Sequence, residues 1–155
     1  MRPQILMVDD ELDILDAATM ALKNEFELHT ASSVASAKSI LIQRKIDVVI
    51  ADLNFEGQEE DGIELIDYIN RKYSDIPIVV LSADQLTRRV VSAMRRDLSD
   101  FIPKEGDYRE KLRIALRKGL EQRRQSLAAK DIFLTNSNQM RSLLLKVDKI
   151  VSRST

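Results

Sequence analysis

Residues 47–57 read DVVIADLNFEG. The run Val48-Val49-Ile50-Ala51 shows no alternation of apolar and polar residues, which predicts a strand covered on both faces. It ends on a carboxylate, Asp52, where desolvation begins to disfavour charge. An acid in that position either caps a neighbouring backbone or takes part in chemistry.

Similar short apolar runs recur on both sides, with helical periodicity between them. Ile5-Leu6-Met7-Val8 predicts a first strand. Leu12, Leu15, Ala18, Thr19 and Leu22 share one face of a helix over 11–24. Glu27 to Ala31 predicts a short second strand. Ser32 or Ser33 then caps a helix running to about Arg44, since a hydroxyl satisfies an orphan backbone N–H. Ile63, Ile66, Ile69 and Tyr73 mark a third helix. A fourth strand follows over Ile76–Ser82, with Pro77 tolerated near its start. Leu86, Val90, Ala93 and Met94 mark a fourth helix, and Phe101-Ile102-Pro103 a fifth strand. Strands alternating with helices in this way predict an α/β fold: a doubly wound parallel sheet of five strands.

The composition narrows the chemistry. The 155 residues suffice for one domain with a core and an appendage. There is no cysteine, and His29 is the only histidine. Disulfides, thiolate metal sites, histidine zinc sites and Ser-His triads are therefore set aside. His29 is expected to be a strand or edge residue without a role. No apolar run approaches the ~20 residues of a membrane span. The N-terminus turns acidic too early for a signal peptide, so a cytoplasmic location is expected. Residues 1–102 carry 11 basic and 19 acidic side chains, and residues 103–155 carry 13 and 6. That asymmetry gives the tail a separate job. A solvated basic helix explains it more simply than a nucleic-acid surface.

The strand ends answer the question posed by Asp52. The first strand runs into Asp9-Asp10, the third into Asp52, the fourth into Ser82 and the fifth into Lys104. In open α/β sheets ligands bind beyond the carboxyl ends of the strands. Three acids, a hydroxyl and an amine thus converge. Carboxylates so close together raise one another's pKa unless cations compensate. A hard divalent ion such as Mg²⁺, or Mn²⁺, and the Lys104 ammonium would do so. A metal, a lysine and a free carboxylate suit phosphoryl transfer to that carboxylate. Taken singly, each residue has a plainer explanation. Asp9 or Asp10 could cap a helix, Asp52 a loop and Ser82 a turn; Lys104 could be solvated and Phe101 could be core. Together these require five coincidences.

The motifs VDDE, ADLN, LSAD and FIPK, in this order and spacing, resemble the receiver domain of two-component response regulators over roughly residues 3–122. The resemblance implies strand order 2-1-3-4-5. It makes Asp52 the phosphoacceptor, with Asp9, Asp10, Asp52 and the Asn54 backbone carbonyl as Mg²⁺ ligands. Ser82 and Lys104 would bind the phosphoryl group. Ser82 and Phe101 would form the switch, acting on the face made by the fourth helix, fifth strand and fifth helix. Asn54 and Asp84, each two residues past a site residue, would flank the attacking water and tune the phosphoryl lifetime. A histidine kinase or phosphotransfer protein, or a small phosphodonor, would supply the group. The module would be a switch rather than an enzyme with turnover.

Four features depart from the family pattern. LNFEGQEEDG lacks the usual Met-Pro and is about two residues longer, placing Glu56, Glu59, Glu60 and Asp61 near the pocket. Pro103 precedes Lys104 and Glu105 follows it, so the usual cis Lys-Pro bond is absent and a trans bond is expected. The fourth helix ends in Asp97-Leu98 instead of Gly-Ala, and Asp97 imitates a left-handed glycine cap only at a cost. The hydroxyl is Ser82 rather than Thr.

Residues 1–122 are assigned to the receiver and 123–155 to a helical extension. A helix is expected from Asp107 to about Ala129, with Gly119 costing about 1 kcal/mol against Ala. A break at Leu134-Ser137 and a second helix capped by Asn136 or Ser137 should follow. Met140, Leu143, Leu144, Val147, Ile150 and Val151 form its apolar stripe. LTNSNQMRSLLLKVDKIVSRST resembles the opening of the ATPase core in enhancer-binding transcription activators, which implies a missing downstream domain. A homodimer through these helices is expected, with neither membrane nor direct DNA contact. GQEEDGIE lacks the Lys-Ser/Thr of a nucleotide loop. The alternative is an aspartyl-phosphate hydrolase like the haloacid dehalogenases. Those carry a second acid two residues past the nucleophile, where this chain has Asn54, and they use the first strand rather than the third.

Overall fold

The three central strands of the sheet are buried along almost their whole length, which is why their sequences do not alternate. They are β1 (Gln4–Val8), β3 (Val48–Ala51) and β4 (Ile78–Ser82). The flanking strands β2 (Glu27–Ala31) and β5 (Asp100–Pro103) are partly exposed, as edges are. All four pairings are parallel, in the order β2-β1-β3-β4-β5. The computed structural model describes residues 1–55, 61–83, 93 and 96–153, with side chains described through residue 134 and at Met140.

Successive side chains of each strand enter opposite cores. Leu6, Val8, Val49, Ala51, Ile78 and Val80 face one, closed by α2 (Val34–Gln43) and α3 (Gly62–Lys72). Ile5, Met7, Val48, Ile50, Val79 and Leu81 face the other. That side is closed by α1 (Leu12–Leu22) and the start of the C-terminal helix (Arg109–Arg153). Each such aliphatic side chain contributes about 1.5–3 kcal/mol on burial.

The helix ends follow local chemistry. Ser33 caps α2, its Oγ accepting from Ser36 N at 3.1 Å. Asp61 caps α3 through Oδ1, which accepts from Ile63 N and Glu64 N. Along α1, Leu15, Ala18 and Leu22 are buried as expected. Leu12 is 64% exposed. It sits in the first turn and faces solvent, and Ile14 packs inward instead.

The tail differs from expectation. One uninterrupted helix runs from Arg109 to Arg153, without the break at Leu134–Ser137 or a second cap at Asn136 or Ser137. No Gly or Pro occurs between residues 120 and 153, and interior Ser, Thr or Asn each cost under about 0.7 kcal/mol. The chain divides into two compact units, Met1–Arg123 and Arg124–Thr155.

The expected fourth helix lies outside the described residues, apart from Ala93, which is helical and buried. Asp97 does not adopt the left-handed cap conformation; among the described residues only Gly106 has positive φ. No described peptide bond is cis. His29 is held on edge strand β2 by Gln4, with Nε2 2.6 Å from Oε1.

Candidate functional site

Ladder hydrogen bonds carry the site residues just past the strand ends. Asp9 N donates to Ala31 O at 3.1 Å, Asp52 N to Val8 O at 3.0 Å, and Lys104 N to Ser82 O at 2.8 Å. The parallel sheet therefore delivers these groups to one edge. β1 has β2 on one side and β3 on the other, so Asp9 and Asp52 flank the point where strand order reverses.

Lys104 Nζ lies 2.6 Å from Asp9 Oδ2 and 3.3 Å from Asp52 Oδ2. All three side chains are almost completely buried. Asp52 Oδ1 accepts from Leu53 N at 2.8 Å, which fixes the carboxylate plane. Asp9 Oδ1 accepts from Glu11 N at 2.9 Å, so this residue serves the helix start and the site together. Ser82 is fully buried at the end of β4. Asp10, grouped with Asp9 and Asp52, is half-buried, as is Asn54 two residues past Asp52. Phe101 is half-buried against the core formed with α2 and α3. Asp84 lies outside the described residues, as do Glu56, Glu59 and Glu60.

The electrostatics favour a poised carboxylate. Burial raises the Asp52 pKa above the ordinary carboxylate value; the Lys104 charge pulls against this, and the Asp9 charge adds to it. Burial alone would lower the Lys104 pKa, but contact with Asp9 and the charges of Asp52 and Asp9 outweigh it, and the net shift is upward.

The donor set fits a hard divalent cation. Carboxylate oxygens of Asp9, Asp10 and Asp52 all lie within 4.8 Å of one another. Asp9 Oδ2 is buried and meets Lys104 only as an ion pair, without the alignment of a hydrogen bond. Such an oxygen retains lone pairs for a metal.

Two residues of the site carry weight that the sequence motifs did not assign. Glu11 Oε1 lies 3.8 Å from Lys104 Nζ. Gly62 opens α3 directly beneath the loop that follows β3, where a Cβ would sit 1.8 Å from Asp52 O. Its N–H donates to Leu53 O at 3.2 Å. The glycine in GQEEDGIE signals this close approach only once the loop is folded. Asp61, expected among the acids around the pocket, is engaged in capping α3.

A doubly wound sheet with an acid trio, a hydroxyl and a lysine gathered at its carboxyl edge defines a signalling receiver module. Residues 5–117 match the response regulator receiver domain, and the chain belongs to that family. It is similar to a putative NtrX-like response regulator of Rickettsia bellii (strain RML369-C), with 30% identity over 118 residues, 76% of this chain and 24% of that protein. Regulatory protein VirG of Agrobacterium tumefaciens (strain 15955) is 34% identical over 122 residues, 73% of this chain and 43% of that protein. The crystal structure of the receiver domain of NtrX from Brucella abortus matches with a TM-score of 0.70 and 34% identity, covering 76% of this chain and 98% of that one. The chain spans about a quarter of the length of the NtrX relatives it matches. The strand order carried by the resemblance is the one observed. Among the described residues no helix is long and apolar enough to cross a membrane.

Proposed function

We propose that this chain is a phosphorylation-activated switch in which Asp52 accepts a phosphoryl group from a histidine kinase, a phosphotransfer protein or a small phosphodonor. The observation that carries this is the buried Lys104 ammonium held between Asp9 and Asp52 at the reversal of strand order. An Asp52 oxygen attacks phosphorus, and an acyl phosphate forms as the bond to the donor's leaving group breaks. Lys104 balances charge on the incoming phosphoryl oxygens, and the Ser82 hydroxyl donates to one of them. Asp9, Asp10, Asp52 and the Asn54 carbonyl would hold Mg²⁺ or Mn²⁺, which supplies charge neutralisation at the phosphoryl oxygens. Movement of Ser82 toward the phosphoryl group would draw Phe101 inward and change the β5 face. Asn54 would limit the phosphoryl lifetime by its place beside the attacking water.

Residues 1–122 would form the receiver and 123–155 an extension that pairs with a second copy. The regulatory names of the relatives support a regulatory output, and the resemblance of residues 134–155 to enhancer-binding activators makes transcription its setting, exercised through a partner or a further domain rather than by DNA contact from these residues.

The test is intact mass after incubation with a small acyl phosphate and Mg²⁺. One base-labile phosphoryl group is expected, absent in Asp52→Asn. Undiminished labelling of Asp52→Asn overturns the assignment.

A further inference from the structure

We infer that Glu11 is a positioning residue that shares the Lys104 ammonium with Asp9 and Asp52 and so eases entry of a divalent cation into the acidic cluster. The inference rests on the reading of that cluster as a cation site.

Glu11 occupies the N-cap position of α1 yet makes no side-chain cap. The helix start is served by Asp9 Oδ1, which takes the Glu11 N–H. The Glu11 side chain is thus spared from the role its position usually demands. Its Oε1 lies 3.8 Å from Lys104 Nζ, on the solvent side: Glu11 is 63% exposed, Lys104 6% and Asp9 1%.

The contested atom is Asp9 Oδ2. It is buried, and its close cation is the ammonium at 2.6 Å. A divalent ion that takes this oxygen must compete with Lys104. A buried ammonium deprived of its carboxylates is costly. Glu11 lowers that cost by offering a carboxylate at the rim, within reach without rebuilding the backbone. Because Glu11 is largely exposed, water and salt weaken the pairing, and its effect on cation affinity is modest, about two- to fivefold.

The experiment is calorimetric titration of the full chain with Mg²⁺, in wild type, Glu11→Gln, Lys104→Met and the double variant. Glu11→Gln should weaken Mg²⁺ binding about two- to fivefold in the wild-type background and have no effect in the Lys104→Met background. Equal weakening in both backgrounds would mean that Glu11 acts only as a nearby negative charge, and would overturn the inference alone. Absence of Mg²⁺ binding by wild type would overturn the cation-site reading and this inference with it. Glu11→Asp gives a check that does not need the Lys104 variant to fold. Shortened by one methylene, it keeps the charge near the cluster but withdraws it from the ammonium, so its affinity should fall with Glu11→Gln. Wild-type affinity in Glu11→Asp overturns the inference.

Discussion

Asp52 is 5% exposed and shares its pocket with another carboxylate, so its ionised form is held at a cost. Its folded pKa is raised above the ordinary 3.8. Between those two values the folded protein binds a proton that the unfolded chain releases. Ionisation therefore costs stability at pH above the folded pKa, and the cost disappears below about 3.8. In chelator, Asp52→Asn should melt at a higher temperature than wild type near neutral pH. The difference should shrink steadily as the pH falls below the folded pKa toward 3.8. Melting curves at a series of pH values check this, and a difference that is constant with pH would contradict it. Lys104→Met should behave oppositely. It leaves Asp9 and Asp52 facing each other without their ammonium, a loss of roughly 3 kcal/mol in metal-free protein. Added Mg²⁺ should restore more stability to this variant than to wild type, as measured by urea denaturation with and without the ion.

Two glycines show how an element's packing decides what a side chain would do. At Gly62 a Cβ would meet the Asp52 carbonyl at 1.8 Å, and that backbone cannot yield without moving Asp52 itself. Gly62→Ala should cost about 3 kcal/mol in urea denaturation and slow acyl-phosphate labelling of Asp52. At Gly119, inside the C-terminal helix, a Cβ would lie 3.4 Å from Pro77 and 3.6 Å from Val48, which is ordinary contact. Gly119→Ala should therefore stabilise the fold by about 0.5–1 kcal/mol. A loss of stability at Gly119, or none at Gly62, would show that the close approaches are misread. The same distinction separates what was legible in the sequence from what was not. Val48 to Ala51 announced a buried strand because both faces are covered, and Ser33 announced a cap because its hydroxyl acts locally. Asp9, Asp52, Ser82 and Lys104 could be placed because each ends a strand of one parallel sheet. Gly62 and Glu11 depend on contacts made only once separate elements pack together, Gly62 with Asp52 and Glu11 with Lys104, which no local pattern encodes. Leu12 satisfies the helical period but stays exposed in the first turn of α1. The run Leu134-Thr135-Asn136-Ser137 suggests a break, yet without Gly or Pro its small propensity costs do not interrupt the helix.

At the scale of the whole chain, the second unit raises a question of cover. Ile132, Phe133, Leu134 and Met140 are 63%, 72%, 59% and 61% exposed. Beyond them the sequence continues with Leu143, Leu144, Val147, Ile150 and Val151 at helical spacing. Side chains of this size gain about 1.5–3 kcal/mol each when fully buried. A single helix cannot bury its own stripe, because residues on one face point away from the axis together. A second copy presents the same stripe, and an isologous pairing closes without leaving a further apolar face, unlike a head-to-tail contact. The full chain should therefore sediment as a dimer, and a chain ending at Gln122, which keeps both cores of the receiver, as a monomer. Sedimentation equilibrium over a concentration series, with and without phosphorylation, checks this. If both chains remain monomeric at the highest concentration in either state, the extension does not pair with a second copy.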